Sequence, residues 1–204
     1  MNFYDCLLAK YGFENPIIEN EIQMDNYKKN AIRQFLYLLE KDQKIIRYSS
    51  GIYYIPRDSL FGKSKITFEK VIERKYIEND KEIYGFYTGI YFKNLMGLSS
   101  QMVNVPEIVS NKEPSKKRKI ELNGRNAIVR KSITEITKEN VKILQFFDLF
   151  KYLAFEEVLS YKDKLIEYIR VNQLTRAMVE DYLTLYSKQV VSSLIRSGLI
   201  YEFA

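Results

Sequence analysis

The sequence contains no histidine and a single cysteine, Cys6. Without an imidazole, a Ser-His-Asp triad, a Cys-His pair and every His-ligated metal site are excluded. One thiol cannot form an internal disulfide, a four-thiolate zinc site or an iron–sulfur cradle, so a reducing cytoplasm is the expected setting. Long apolar runs are also missing. The longest mostly apolar stretch, residues 83–98, is interrupted by Gly85, Gly89, Lys93, Asn94 and Gly97, and is too short and polar to span a bilayer. Residues 1–12 carry Asp5 and Lys10 in a short amphipathic pattern and lack the basic start and apolar core of a signal peptide. The glycines do not have the spacing of a P-loop or a dinucleotide fingerprint. Neither cofactor nor metal is expected.

The adjacent acids Glu156/Glu157 and Glu180/Asp181 would point about 100° apart on a helix. A carboxylate nuclease site needs convergence from different elements, although two-metal chemistry does not require histidine. The expectation is a binding protein rather than an enzyme.

What is present is length, apolar content and positive charge. The 204 residues suit one large or two small domains, and 46% apolar content supplies a core. Lys and Arg outnumber Asp and Glu by 32 to 26, a net +6 that favours acidic partners. The excess is regional. Residues 1–56 hold seven basic and seven acidic side chains, residues 57–134 hold sixteen and nine, and residues 135–204 hold nine and ten. Nucleic-acid binding by the N-terminal part must therefore rest on local segregation of charge.

That part has a readable rhythm. Phe3, Leu7, Leu8 and Tyr11 recur at helical spacing, with Gly12 as the stop. After Pro16, Ile17, Ile18 and Ile22 suit a short second helix. Asp25 or Asn26 would cap a third helix running to about Lys41, with Ile32, Phe35, Leu36 and Leu39 on its apolar face. Lys44-Ile45-Ile46-Arg47-Tyr48 and Ile52-Tyr53-Tyr54-Ile55 flank Ser49-Ser50-Gly51 as a hairpin, closed by Pro56. Three helices and a hairpin is the order of a winged helix-turn-helix, whose third helix enters the major groove while the hairpin flanks phosphates. Candidate groove contacts are Lys28, Lys29, Asn30, Arg33 and Gln34, with Lys44 and Arg47 on the wing. The same cations also suit a solvated helix face, and many winged helices dock on proteins rather than DNA.

Several blocks follow in order: Arg57-Asp58-Ser59-Leu60-Phe61-Gly62; Gly85-Phe86-Tyr87-Thr88-Gly89; Asn94-Leu95-Met96-Gly97-Leu98-Ser99-Ser100-Gln101; Glu107-Ile108-Val109-Ser110-Asn111; and Ile136-Thr137-Lys138-Glu139-Asn140 with Leu144-Gln145-Phe146-Phe147-Asp148. Over residues 1–150 this succession resembles the AbiEi-like family of abortive-infection antitoxins, including its subgroup with an N-terminal winged helix. Ser99-Ser100 stands where the family more often has two threonines, which keeps the hydroxyls. The resemblance implies a cytoplasmic bacterial antitoxin whose winged helix binds inverted repeats in double-stranded DNA upstream of its own operon and represses it. It further implies a C-terminal domain that counteracts a nucleotidyltransferase-like toxin, without the need for a stable complex.

Read physically, these blocks favour architecture. Gly85 and Gly89 with Tyr84, Phe86, Tyr91, Phe92 and Leu95 suit a helix with one small face. Asn94 and Gln101 would cap or bridge backbone. Lys116-Lys117-Arg118-Lys119 is the densest positive run, and Asn123-Gly124 is a hairpin turn between two β-prone segments. This run is either a solvated loop tip or a phosphate-contacting patch extended by Arg125, Arg130 and Lys131. Beyond residue 137 the chain reads as helices over about 138–152, 156–172, 175–185 and 188–197, with Leu165, Ile169, Leu174, Val179, Leu183 and Leu194 facing a core. The expected fold is α+β: a winged helix-turn-helix over 1–56, then a mixed α/β domain over 57–204 with a helical tail.

Overall fold

Asn2 opens the first helix, α1 (Phe3–Tyr11), through a reciprocal cap. Its side chain accepts from the Asp5 N–H at 2.9 Å, and the Asp5 carboxylate accepts from the Asn2 N–H at 3.3 Å. Gly12, at φ 68°, ends α1 by donating its N–H to the Leu8 carbonyl. The computed structural model describes residues 2–24, 27–60, 62–101 and 103–204. Packing groups the chain into two units: Met1–Lys75 with Glu121–Arg125, and Tyr76–Ile120 with Asn126–Ala204. The boundary expected from Pro56 lies at residue 56.

In the first unit, β1 (Ile17–Ile18) pairs antiparallel with β3 (Ile52–Tyr54), and β3 pairs antiparallel with β2 (Ile46–Ser49). The sheet order is β1-β3-β2. A second helix was expected over 17–22, but Ile17 and Ile18 instead form the strand and a single 3-10 turn, Glu19–Glu21, follows. Two consecutive β-branched residues can satisfy their backbone on Tyr53 and Ile52, which helical spacing could not anticipate. The candidate caps Asp25 and Asn26 lie outside the described residues. Helix α2 (Lys29–Lys41) starts behind Lys28, which occupies the cap position without a side-chain bond.

The expected hairpin of β2 and β3 is present. It turns at Gly51, φ 68°, and carries a bulge between Arg47 and Ser49. Phe3, Leu7, Ile17, Ile32, Leu36, Ile45 and Tyr53 belong to one buried cluster beneath α1 and α2. Beyond it, β4 (Asp58–Ser59) pairs with β5 (Gly62–Lys63), and Thr67 caps α3 (Phe68–Ile72).

A four-stranded sheet in the order β6-β7-β9-β8 belongs to the second unit except for the β8–β9 hairpin tip, Glu121–Arg125. Strand β6 (Gly85–Thr88) is antiparallel to β7 (Glu107–Ser110), which runs parallel to β9 (Arg125–Lys131). Asn123 at φ 50° and Gly124 at φ 76° turn β8 (Arg118–Leu122) into β9, as that dipeptide favours.

The single small-faced helix expected around Gly85 and Gly89 is a strand followed by α4 (Gly89–Leu95). Gly85 does permit a close approach, of a π-helical turn over Glu73–Ile77 and of β7. A Cβ there would meet the Tyr76 carbonyl oxygen at 2.0 Å and that of Val109 at 2.7 Å.

The helical tail comprises α5 (Val141–Leu149), α6 (Phe155–Ser160), α7 (Lys162–Val171), α8 (Arg176–Tyr182) and α9 (Lys188–Arg196). The helix expected over 156–172 is thus two, broken at Tyr161. Phe146, Phe147 and Phe150 of α5 and its end are fully buried, and Leu165, Ile169, Leu174, Val179 and Leu194 join them as expected. Leu183 is only partly buried against this core. Among the described residues no helix is long and apolar enough to cross a membrane.

Candidate nucleic-acid interface

Helix α2 divides cleanly into two faces. Ile32 and Leu36 are buried, and Phe35 and Leu39 pack against them at helical spacing. Phe35 also meets Phe3 and Tyr27, with ring centroids 5.0 and 5.4 Å away. The opposite face is solvent-exposed: Lys29, Asn30, Arg33, Gln34, Tyr37, Leu38 and Lys41. It carries no carboxylate. The half-buried Glu40 lies at its flank. Lys28, just before the helix, is exposed too.

Arg33 is tied down. Its Nε donates to Glu19 Oε1 at 2.7 Å, and the Glu19 N–H donates to the Gly51 carbonyl at 2.9 Å in the hairpin turn. Glu19 therefore connects the helix to the β2–β3 hairpin. Across that hairpin Arg47 pairs in register with Tyr53, its guanidinium 6.0 Å from the ring centroid. Burial pushes the Tyr53 hydroxyl above its ordinary value, with Arg47 pulling down and Glu19 and Glu40 pushing up. Glu19 thus bonds Arg33 and the hairpin turn, and Arg47 lies by the Tyr53 ring of the same hairpin.

Lys44 does not join them. Its ammonium lies 5.9 Å from the ring centroid of Tyr4 in α1. There it lines a cavity of about 730 Å³ with Phe13, Arg57 and Lys63. None of the other six candidate groove and wing residues lines that cavity. A three-residue step in sequence, from β2 back to its approach, separates the two cations.

The second candidate patch is mostly committed to internal pairing. In the first unit, Arg125 donates to Glu69 at 2.7 Å and lies 4.4 Å from the Phe68 ring centroid. In the second, Arg118 donates through two nitrogens, at 2.7 and 3.2 Å, to the buried Glu113. Burial pushes the Glu113 carboxyl up, but Arg118 and the Ser115 amide outweigh it and hold the group below the usual carboxylate range. Arg130 is only 15% exposed and bonds to Asp148, which is 2% exposed. Asp148 also accepts from Thr88 and, at 2.6 Å, from Lys151. Burial raises this carboxyl; the Arg130 and Lys151 charges overcome that and lower it. Lys117 reaches Glu107 at 3.8 Å. Lys116, Lys119 and Lys131 are exposed and carry no carboxylate partner among the described residues. The surface left for phosphates is therefore these three lysines, with Lys117 half-engaged beside them.

The polar residues of the family-like blocks hold backbone together. Asn111 exchanges two hydrogen bonds with Ile136, Asn140 accepts from the Thr137 N–H at 2.8 Å and donates to the Glu135 carbonyl at 2.9 Å, and Gln145 donates to the Tyr87 carbonyl at 2.9 Å. Asn94 donates to the Gln101 carbonyl, the backbone bridge its position suggested. Among the described residues no three acidic or thiol side chains converge as metal ligands.

Sequence reasoning missed Glu19 and Tyr53 as connectors, Tyr37 and Leu38 on the exposed face, and Asp148 as the hub of a buried ion cluster. Only Tyr37 and Leu38 had a usable signal, since they stand three and four residues beyond Gln34. Compared with known proteins, the chain matches no family model, no curated protein and no solved structure.

Proposed function

We propose that the protein is a sequence-specific DNA-binding repressor of the abortive-infection antitoxin type, with α2 as its recognition helix and the β2–β3 hairpin as its wing. The observation that carries this reading is the exposed face of α2, which bears Lys29, Arg33 and Lys41 and no carboxylate of its own, tied through Arg33 and Glu19 to the turn of the hairpin that carries Arg47. A winged helix needs this juxtaposition, because the helix takes base edges while the hairpin takes the adjoining phosphates. The order α1, β1, 3-10 turn, α2, β2, β3 and the sheet order β1-β3-β2 support it, with the 3-10 turn standing in for the second helix. Electrostatics adds reach but not sequence choice, since phosphate contacts are blind to base identity.

The antitoxin half of the proposal rests on the family resemblance over residues 1–150. The repressor would act in the cytoplasm on inverted repeats beside its own gene, and the second unit would counter a nucleotidyltransferase-like toxin. Gel-shift titration of the full chain with its own upstream DNA tests the first half. A specific complex that is lost in the Arg33→Ala, Lys29→Ala double variant is the expected result. No specific complex, together with stable co-purification of a partner protein, would replace the reading by that of a protein-docking module. Co-expression with a toxin encoded next to the gene tests the second half, through rescue of growth.

A further inference from the structure

The outer face of α2 holds two apolar side chains that neither the core nor phosphate binding accounts for. Tyr37 is 64% exposed and Leu38 51%. The core side of the helix is already complete with Ile32, Phe35, Leu36 and Leu39. We infer that Leu38 is a specificity-determining residue that reads the C5-methyl group of a thymine in the major groove. This inference rests on the proposal that α2 is the recognition helix.

Three observations lead there. First, Asn30, Gln34 and Leu38 succeed one another at four-residue intervals on the exposed face, so they form one near-axial row. Eight residues of helix advance about 12 Å, or roughly three to four base steps at 3.4 Å each. The row contacts successive base pairs only if α2 lies lengthwise in the groove rather than end-on. Second, the chemistry along the row changes. Asn30 and Gln34 each offer the donor–acceptor pair that matches adenine, whereas Leu38 can make no hydrogen bond, and the thymine methyl is the apolar group that the groove presents. Third, the row is flanked by Lys29, Arg33 and Lys41 with no carboxylate on the exposed face, which suits a polyanion. Arg33 uses Nε on Glu19 while its side chain stays 59% exposed, so its fork keeps donors for a base or phosphate. Tyr37, exposed beside Leu38, offers a hydroxyl of the kind that bonds phosphate oxygens.

The test uses the full chain and a pool of random-sequence DNA duplexes. Binding sites are selected, and each thymine of the selected site is then replaced in turn by deoxyuridine, which removes one methyl. The expected result is a loss of about three- to fivefold at one position three to four base pairs from an adenine contact, the usual effect of one buried methyl. Leu38→Ala is expected to bind the thymine and uracil duplexes equally while unfolding at the wild-type temperature, because its side chain is outside the core. Wild-type protein that selects a sequence yet is indifferent to uracil at every position overturns the inference and leaves DNA recognition standing. Retained discrimination in Leu38→Ala overturns it as well. A Leu38→Ala change in oligomeric state, with the thymine-to-uracil ratio unaltered, assigns the face to self-association. Failure to enrich any sequence defeats the recognition-helix reading itself.

Discussion

The side chain of Asn111 and the backbone of Ile136 are joined by two hydrogen bonds. Asn111 Nδ2 donates to the Ile136 carbonyl at 2.8 Å, and the Ile136 N–H donates to Asn111 Oδ1 at 2.9 Å. The primary amide thus does the work of a short strand, fixing the segment that precedes α5 against the end of β7. Asn111→Ala is expected to lower stability by about 1–2 kcal/mol in chemical denaturation, since both backbone groups lose a partner. Asn111→Asp keeps the acceptor and is expected to cost less than Asn111→Ala at neutral pH.

Gly85 and Gly124 offer a controlled contrast. A methyl at Gly85 would press on two backbone oxygens, neither of which can swing away. Gly85→Ala is expected to destabilise by about 3 kcal/mol or more, visible as a large drop in melting temperature. At Gly124 the space is open and only the positive φ of 76° opposes a side chain. Gly124→Ala is expected to cost about 1 kcal/mol. Equal losses at the two sites would contradict the tight backbone approach at Gly85.

The ion cluster around Asp148 dictates a direction for acid sensitivity. Its folded carboxyl titrates below the unfolded value of about 3.9, so its stabilisation is complete above that value and disappears as pH falls through the folded one. Glu113 acts in the same sense. Unfolding free energy is expected to be level between about pH 5 and 7 and to decline below about pH 4. In Asp148→Asn that decline shrinks, and at pH 7 the protein is about 3 kcal/mol less stable, because Arg130 is left mostly buried without its counter-ion.

Within the proposed DNA complex the wing cations are expected to behave differently. Arg47→Ala weakens binding and reduces the slope of log affinity against log salt by about 0.9, the contribution of one phosphate contact. Lys44→Ala leaves affinity within about twofold, because Lys44 lies over Tyr4 rather than beside Arg47. A large effect of Lys44→Ala on binding, at unchanged stability, would shift the DNA footprint toward α1.

The basic segment before β9 divides in the same way. Replacing Lys116, Lys119 and Lys131 together by Gln is expected to leave the melting temperature unchanged, and to lower non-specific DNA affinity if that surface meets phosphates. Arg118→Ala is expected to lower stability by about 2 kcal/mol or more, since Glu113 would stay buried without its guanidinium.

Local chemistry announced the elements whose causes are local. The Asn2 and Gly12 caps bound α1, the apolar stripe of α2 follows a 3.6-residue period, and Asn123-Gly124 supplies the two left-handed residues of its turn. Where the deciding partner is distant, pattern fails. Ile17 and Ile18 read equally well as helix or strand until Tyr53 and Ile52 offer an edge. Gly85 and Gly89 read as one helix face, yet one sits under the Tyr76 carbonyl and the other bends the chain at φ 70°. The candidate site divides similarly: residue types on α2 are legible, whereas the Glu19 tie to Arg33 and the different rings beside Lys44 and Arg47 exist only in three dimensions.

The first packing unit is discontinuous in sequence, and this sets an order for synthesis. Glu121–Arg125 belongs with Met1–Lys75, but Tyr76–Ile120 must be translated before it. A nascent chain leaving the ribosome therefore carries β6 and β7 of the second unit before Arg125 can find Glu69 in the first. A fragment cut at residue 75 would lack Glu121–Arg125, and with it the Arg125 partner of Glu69.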